Sequence, residues 1–129
     1  TPSGVIKETA FTDVAYSFAT RFEDKHGTNP EELIAAAHAA CFSMALSADL
    51  GNAGFHPQRV EATAAITLDK RDGKPTITKS HLTVKAIVPG ADRAKFLEIA
   101  NGAKAGCPIS RLLNAEITMD ATLETGVKV

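Results

Sequence analysis

The longest apolar stretch of the sequence follows a group of helix-start residues and predicts one long α-helix. Asn29 is a favoured N-cap, Pro30 suits the first helical position, and Glu32 follows the cap by three residues, as in a capping box. Ala, Leu, Ile, Cys and Met dominate as far as Leu50, and Gly51 is expected to end the helix. Because almost no polar face remains, we expect burial on most sides, with a second subunit covering part of the helix.

Further along the chain the apolar positions alternate, which predicts β-structure. Alternating runs at residues 60–68 and 77–88 flank a polar turn at residues 70–75, so we expect a long β-hairpin. A second helix is predicted over residues 92–104.

The rest of the chain completes an α+β pattern. Gly106-Cys107-Pro108 is expected to end the second helix and start a short helical turn through Leu113. Alternation over residues 117–123 predicts a closing strand, and residues 1–23 are expected to be extended. Helices inserted among antiparallel strands define an α+β fold.

Size and charge narrow the functional classes. A chain of 129 residues predicts a single domain over residues 1–129, and the formal net charge of −1 leaves no basic surplus for nucleic acid. The charge-free run at residues 33–48 is shorter than the roughly 20 residues of a membrane span, so we expect no membrane partner. We expect a cytoplasmic protein, because the start of the sequence has no signal-peptide pattern. The sequence starts at Thr1, and we expect further N-terminal sequence before it.

The two cysteines are too few for a disulfide scaffold or a closed zinc site. Either they are two buried, reduced thiols or they form a redox pair. Cys107 precedes Pro108 at the start of a helical turn, where exposed N–H groups favour a thiolate. His38 precedes Cys41 by three residues on one helix face, as a thiol–imidazole pair or half of a metal site would require. A core or interface histidine is the favoured interpretation, and no metal site is expected.

A thiolate at Cys41 in an apolar helix would need a nearby cation, because burial raises a thiol's pKa. Arg21 could supply that cation and Glu31 could hold the guanidinium by bidentate hydrogen bonds. On the residues alone, the favoured interpretation is simpler: Arg21 is a surface strand residue and Glu31 a helix N-terminal charge.

Two cysteine motifs carry a resemblance to a known family. The run Arg21-Phe22-Glu23, the block at residues 27–46 around Cys41, and the block at residues 103–118 around Cys107 resemble the OsmC/Ohr family. These names stand for osmotically inducible protein C and organic hydroperoxide resistance protein. The Gly-Cys-Pro-Ile-Ser form of the second motif, and His rather than Tyr at position 38, are closer to the OsmC branch. The resemblance extends over residues 18–123.

The resemblance implies an OsmC-like fold, with antiparallel sheets packed around central helices in an intertwined homodimer. It implies that Cys41 is the peroxidatic cysteine and Cys107 the resolving cysteine. Arg21 matches the arginine that lowers the peroxidatic pKa, and Glu31 the glutamate that orients it. No cofactor is implied; an external dithiol, often of the lipoyl type, is the reductant. A further β segment is implied before Thr1.

Two functions follow as hypotheses. The first is a thiol-dependent peroxidase that reduces organic hydroperoxides to alcohols through a Cys41 sulfenic acid and a Cys41–Cys107 disulfide, in oxidative or osmotic stress defence. The alternative is a non-catalytic, stress-induced binding protein with an apolar pocket and structural cysteines.

The spacing of Glu31 and Cys41 predicts where their shared site would lie. Ten residues of one helix separate them by about 15 Å along the axis and about 80° around it. No Gly or Pro between them would kink the helix. If both residues serve one site, Arg21 and Glu31 of one subunit face Cys41 and Cys107 of its partner, which gives two composite sites per dimer.

Overall fold

A computed structural model describes residues 3–7, 12–17 and 27–124, with side chains described from residue 27 onwards. The chain divides into two compact units, Thr1–Ile34 and Ala35–Val129. In the first unit, strands β1 (Ser3–Lys7) and β2 (Thr12–Ser17) pair as an antiparallel hairpin. The extended structure expected near the N-terminus is therefore confirmed for these two strands. Whether the whole chain forms one domain stays a prediction.

Helix α1 (Pro30–Asn52) begins as its sequence predicts. Asn29 Oδ1 accepts a hydrogen bond of 2.8 Å from the Glu32 N–H, which satisfies one of the free donors of the first turn. The Glu32 carboxylate accepts from the Thr28 hydroxyl at 2.7 Å, so this carboxylate also fixes the residue before the cap.

The end of α1 lies beyond the predicted stop at Gly51, which is helical. Gly54 has a φ of 90° and takes the left-handed position that follows the helix. The Phe55 N–H donates to the Leu50 carbonyl at 2.9 Å, and the Gly54 N–H donates to the Gly51 carbonyl at 3.0 Å. This pair of bonds is a Schellman motif, which needs its glycine after the helix rather than within it.

A single row of side chains on α1 is buried in the second unit. The row has i, i+4 spacing and contains His38, Phe42, Leu46 and Leu50. Other faces are exposed, and the Met44 side chain is 74% exposed. Burial on most sides is therefore not achieved within one chain, because the sheet covers one face of the helix only. By length and composition alone α1 could also cross a membrane, but Phe42, Leu46 and Leu50 pack into the same core as the sheet.

The second unit contains a three-stranded sheet in the order β3-β4-β5. Strands β3 (Arg59–Arg71) and β4 (Lys74–Ile87) form the predicted antiparallel hairpin. Its two turn residues, Asp72 and Gly73, have φ values of 53° and 74°. Positive φ at both positions defines a type I′ turn, for which Asp-Gly is a preferred sequence.

Strand β5 (Glu116–Glu124) pairs with β4 in parallel, so the expectation of purely antiparallel sheets is wrong for this pair. The reason is the segment that connects β4 to β5, which contains helices α2 (Arg93–Gly106) and α3 (Pro108–Leu112). Because this helical crossover returns the chain to the end of the sheet from which β4 started, β5 runs parallel to β4. The Asp92 side chain caps α2 by accepting from the Lys95 N–H at 2.7 Å.

The core of the second unit lies on one face of β4. Leu82 and Val84 are fully buried there and belong to one cluster with Phe42 of α1, Phe96 of α2 and Cys107. The core therefore extends to one of the two cysteines.

We predict that Leu82→Ala lowers the free energy of unfolding by about 3 kcal/mol, because it removes buried methyl groups and leaves a cavity. Leu112→Ala is the matched control: its side chain is 74% exposed, and the expected loss is below about 0.5 kcal/mol. Urea unfolding followed by circular dichroism measures both. Equal losses would contradict the assignment of the core to this face of β4.

Candidate active site

The fold brings the two cysteines together, although they lie on different elements. Cys41 lies in the middle of α1 and is half-buried, whereas Cys107 lies between α2 and α3 and is fully buried. Both are free thiols. They are neighbours, close enough for each thiol to shift the pKa of the other. A disulfide between them would close a long loop of the chain and would join two elements of one core.

The surroundings of Cys41 that the structure describes favour its neutral thiol. Burial raises the pKa of Cys41, and the neighbouring Cys107 raises it further. The Ile109 N–H opposes this by donating to the Cys41 sulfur, but it does not reverse the direction of the pKa shift. A Cys41 thiolate therefore needs a further stabilising group.

The surroundings of Cys107 favour its thiolate. Burial alone would raise the pKa of Cys107, but the Ser110 N–H, the Cys41 thiol, the Ser110 hydroxyl and the Ile109 N–H together lower it. The Cys107 sulfur forms no side-chain capping hydrogen bond at the start of α3. These groups therefore lower the pKa of Cys107 without capping that helix. The direction of the shift is the one that the sequence predicts for a cysteine at the start of a helical turn.

His38 is fully buried and bonds two serines rather than Cys41. Its Nδ1 lies 2.6 Å from the Ser80 hydroxyl oxygen of β4, and its Nε2 lies 2.7 Å from the Ser110 hydroxyl oxygen of α3. Burial lowers the pKa of His38, which favours the neutral imidazole. The interpretation of His38 as a satisfied core histidine is confirmed.

Sequence reasoning did not single out either serine. Ser80 lies on β4 at the same inward-facing positions as Leu82 and Val84. A polar residue in an apolar alternation was the signal for a buried hydrogen-bond partner. Ser110 lies within the second cysteine motif, three residues after Cys107, where a helical turn brings the two side chains together.

Glu31 lies in the first turn of α1, where the sequence places it. Arg21 lies outside the described residues, so its predicted role stays a prediction. Within the part of the chain that the structure describes, no three His, Cys, Asp or Glu side chains gather as metal ligands would.

A protein-family model described as OsmC-like protein matches residues 22–122, which include both cysteines. The chain belongs to the OsmC-like family. The resemblance seen in its two cysteine motifs is thereby confirmed.

Relatives in this family are similar over most of the chain. Peroxiredoxin OsmC of Escherichia coli strain K12 is 53% identical over 125 residues, which cover 97% of this chain and 84% of that protein. The organic hydroperoxide resistance protein OhrB of Bacillus subtilis strain 168 is 30% identical over 103 residues, with coverages of 79% and 74%. The higher identity supports the assignment to the OsmC branch.

Solved structures of the family share the fold. An OsmC-like protein of unknown function from Vibrio cholerae superposes with a TM-score of 0.74 at 16% identity and covers 88% of this chain and 80% of its own. OhrB of Bacillus subtilis gives a TM-score of 0.64 at 26% identity, with coverages of 86% and 83%. The predicted OsmC-like α+β fold is confirmed.

We predict that His38 makes folding stability depend on pH. In the unfolded chain an imidazole takes up a proton near pH 6.5, whereas burial lowers the pKa of His38 in the folded state. Below about pH 6.5 the unfolded state therefore binds more protons, and the free energy of unfolding falls as the pH falls.

The measurement is urea unfolding between pH 5 and 8 for the wild type and for His38→Gln, which should lose this part of the slope. His56→Gln is the control, because it removes an exposed histidine from a loop and should keep the wild-type slope. An unchanged slope in His38→Gln would show that His38 does not contribute.

Proposed function

We propose that this protein is a thiol peroxidase that reduces organic hydroperoxides to alcohols. The observation that carries the proposal is the side-by-side position of Cys41 and Cys107 in one core. The printed names of the relatives, peroxiredoxin and organic hydroperoxide resistance protein, support the same chemistry and a role in stress defence. We propose the cytoplasm as its compartment, where thiols are kept reduced.

In the first step, the Cys41 thiolate attacks an oxygen of the hydroperoxide. The O–O bond breaks, the alkoxide leaves and takes up a proton to become the alcohol, and Cys41 becomes a sulfenic acid. The thiolate is the reactive form, and burial raises the pKa of Cys41. Arg21 is proposed to offset this shift as a nearby cation, and Glu31 to hold the guanidinium in place.

In the second step, Cys107 attacks the Cys41 sulfenic acid. The new S–S bond replaces the S–O bond, and water leaves. An external dithiol, proposed to be of the lipoyl type, then reduces the disulfide by thiol–disulfide exchange. The proposed cycle needs no bound cofactor and no metal, because the dithiol supplies two electrons, the two cysteine sulfurs carry them and the O–O bond of the hydroperoxide accepts them.

We also propose that the working unit is a homodimer with shared active sites. An open groove of about 780 Å³ runs beside the exposed face of α1 and supports this. Its lining combines small apolar side chains, which include Ala36, Ala39, Ala40, Val60 and Ala62, with polar ones, which include Glu61 and Lys85. Apolar surface of this kind gains free energy when another protein surface covers it. In the proposed dimer, the second copy supplies its Glu31 to the site around Cys41 of the first copy. Neither nucleic acid nor a membrane is proposed as a partner.

The same groove also supports the alternative function, that of a non-catalytic binding protein with structural cysteines. It contains neither cysteine among its lining residues, so a non-catalytic protein could bind an apolar ligand there while its thiols serve only structure. The state of the thiols after exposure to peroxide separates the two functions.

We predict that one equivalent of cumene hydroperoxide removes two free thiols per chain and releases the alcohol. Cys41→Ser should keep its remaining thiol, because Cys107 is fully buried and the hydroperoxide cannot reach it, although its surroundings favour a thiolate. Cys107→Ser should still form a sulfenic acid, which excess peroxide then over-oxidises because no second thiol is present to trap it. Thiol titration with mass spectrometry of the intact chain measures all three.

The double variant Cys41→Ser/Cys107→Ser is the control for peroxide consumption that does not involve thiols. Unchanged thiols in the wild type would favour the binding protein. Full turnover by Cys41→Ser would overturn the assignment of the peroxidatic cysteine.

We predict that two inactive variants, Glu31→Ala and Cys41→Ser, regain activity when their subunits exchange. In a mixed dimer, Glu31 of the Cys41→Ser subunit faces the intact cysteines of the other subunit, which restores one of two sites. Random exchange of equal amounts should give roughly a quarter of the wild-type activity, because half of the dimers are mixed.

A mixture of Cys41→Ser and Cys107→Ser is the negative control, because both cysteines of one site come from the same subunit. It should stay inactive under the same exchange conditions. If tagged subunits exchange and the first mixture also stays inactive, the sites are not shared.

A further inference from the structure

A line of hydrogen-bonded polar side chains runs through the core to Ser110, which follows Cys107 by three residues at the start of α3. It starts at the Ser80 hydroxyl, passes through the His38 imidazole with separations of 2.6 Å and 2.7 Å, and reaches the Ser110 hydroxyl. The Ser110 hydroxyl is one of the groups that lower the pKa of Cys107. The three elements that meet there are α1, β4 and α3.

Stability alone does not explain this line. His38 occupies the first position of a buried row whose other members are Phe42, Leu46 and Leu50. Ser80 is fully buried on the β4 face that also carries Leu82. Apolar side chains would fill both positions without desolvating an imidazole and a hydroxyl, which costs free energy even when they bond each other.

We propose that His38 and Ser110 are positioning residues that hold the Cys107 sulfur as a thiolate for its attack on Cys41. The inference rests on the proposed peroxidase function and adds to it the means by which the resolving cysteine is prepared.

One orientation of the hydrogens delivers a donor to the sulfur. The Ser80 O–H donates to His38 Nδ1, the His38 Nε2–H donates to Ser110 Oγ, and the Ser110 O–H is then free to donate to Cys107. Each donor polarises the next, so the bond that reaches the sulfur is stronger than one from an isolated hydroxyl. This orientation requires a neutral imidazole, and burial lowers the pKa of His38 accordingly.

The step that this chain assists is balanced. The Cys107 thiolate attacks the Cys41 sulfur, the S–S bond forms and the S–O bond breaks. The departing hydroxide combines with the proton that Cys107 has released, which gives water. The sulfenic sulfur is reduced, the thiolate sulfur is oxidised, and both finish in the disulfide.

Several other polar or charged groups lie on the elements around Cys107 and could also affect its ionisation. From α1, Cys41 and His38 face this region. On the flanking helices, Lys104 is half-buried and Arg111 is exposed, while β4 contributes the uncharged Ser80. A Cys41→Ser background removes the competing thiol and leaves Cys107 as the one thiol of the chain.

The test compares Ser110→Ala with Ser110→Thr in that background. Ser110 is part-buried on a short helix, so its loss should leave the fold intact. The pH dependence of the ultraviolet absorbance of the thiolate gives the pKa of Cys107, because this reading needs no reagent to reach the fully buried sulfur. We expect Ser110→Ala to raise this pKa by about one unit, the shift expected from loss of a hydrogen bond to a charged group. Ser110→Thr keeps the hydroxyl and should shift it by less than half as much.

In the protein with both cysteines, the two chemical steps should separate. Rapid-mixing experiments should show sulfenic acid formation within twofold of the wild type, whereas Ser110→Ala slows disulfide formation roughly tenfold at neutral pH. Ser47→Ala, which removes an exposed hydroxyl from α1, is the matched control for both rates.

Three results would overturn the proposal: an unchanged Cys107 pKa in Ser110→Ala, an equal shift in Ser110→Thr, or equal slowing of both steps. The absorbance titration needs no peroxidase activity. If the wild type fails to reduce hydroperoxide while the Cys107 pKa still shifts, the peroxidase proposal fails and the hydrogen-bond chain remains supported.

Discussion

The second unit depends on how α1 packs against β4. Phe42, Leu46 and Leu50 form an apolar row that meets the buried face of β4, and the His38–Ser80 hydrogen bond joins the two elements at the start of that row. Apolar contact fixes how closely the helix approaches but is not directional, whereas a hydrogen bond fixes its rotation and its register. Cys41 therefore lies beside Cys107 because the helix cannot slide or turn without breaking that bond.

The two thiols cannot be ionised together at low cost, because adjacent negative charges repel each other. The described surroundings favour the thiolate at Cys107 and the thiol at Cys41. The proposed reduction of hydroperoxide needs a thiolate at Cys41 in its first step and a thiolate at Cys107 in its second step. A cation that acts on Cys41 until it is oxidised would meet both needs, since the sulfenic acid is uncharged and Cys107 is then free to ionise.

Local signals in the sequence predicted local structure well. The cap at Asn29 and the turn at residues 70–75 depend on residues only a few positions apart, and both were predicted for that reason. The parallel pairing of β5 depends on packing between distant segments, which periodicity does not encode. The alternation of β4 places Ser80 on its buried face, but it does not indicate its partner His38, which is distant in the sequence. The spacing of the two cysteines in the sequence fixes no distance between them in space. Their contact was therefore expected from the family resemblance alone.

The exposed side of α1 connects the proposed dimer to the proposed chemistry. Ala36, Ala40 and Met44 form an exposed row at i, i+4 spacing, so the helix presents apolar surface both to its own sheet and to solvent. Small side chains allow another backbone to approach closely, and burying such a row gains free energy with each methyl group covered. A second α1 packed there would bring its own first turn, with Glu31, towards the middle of this helix. The same contact between the two helices would then cover the apolar row and complete the site around Cys41.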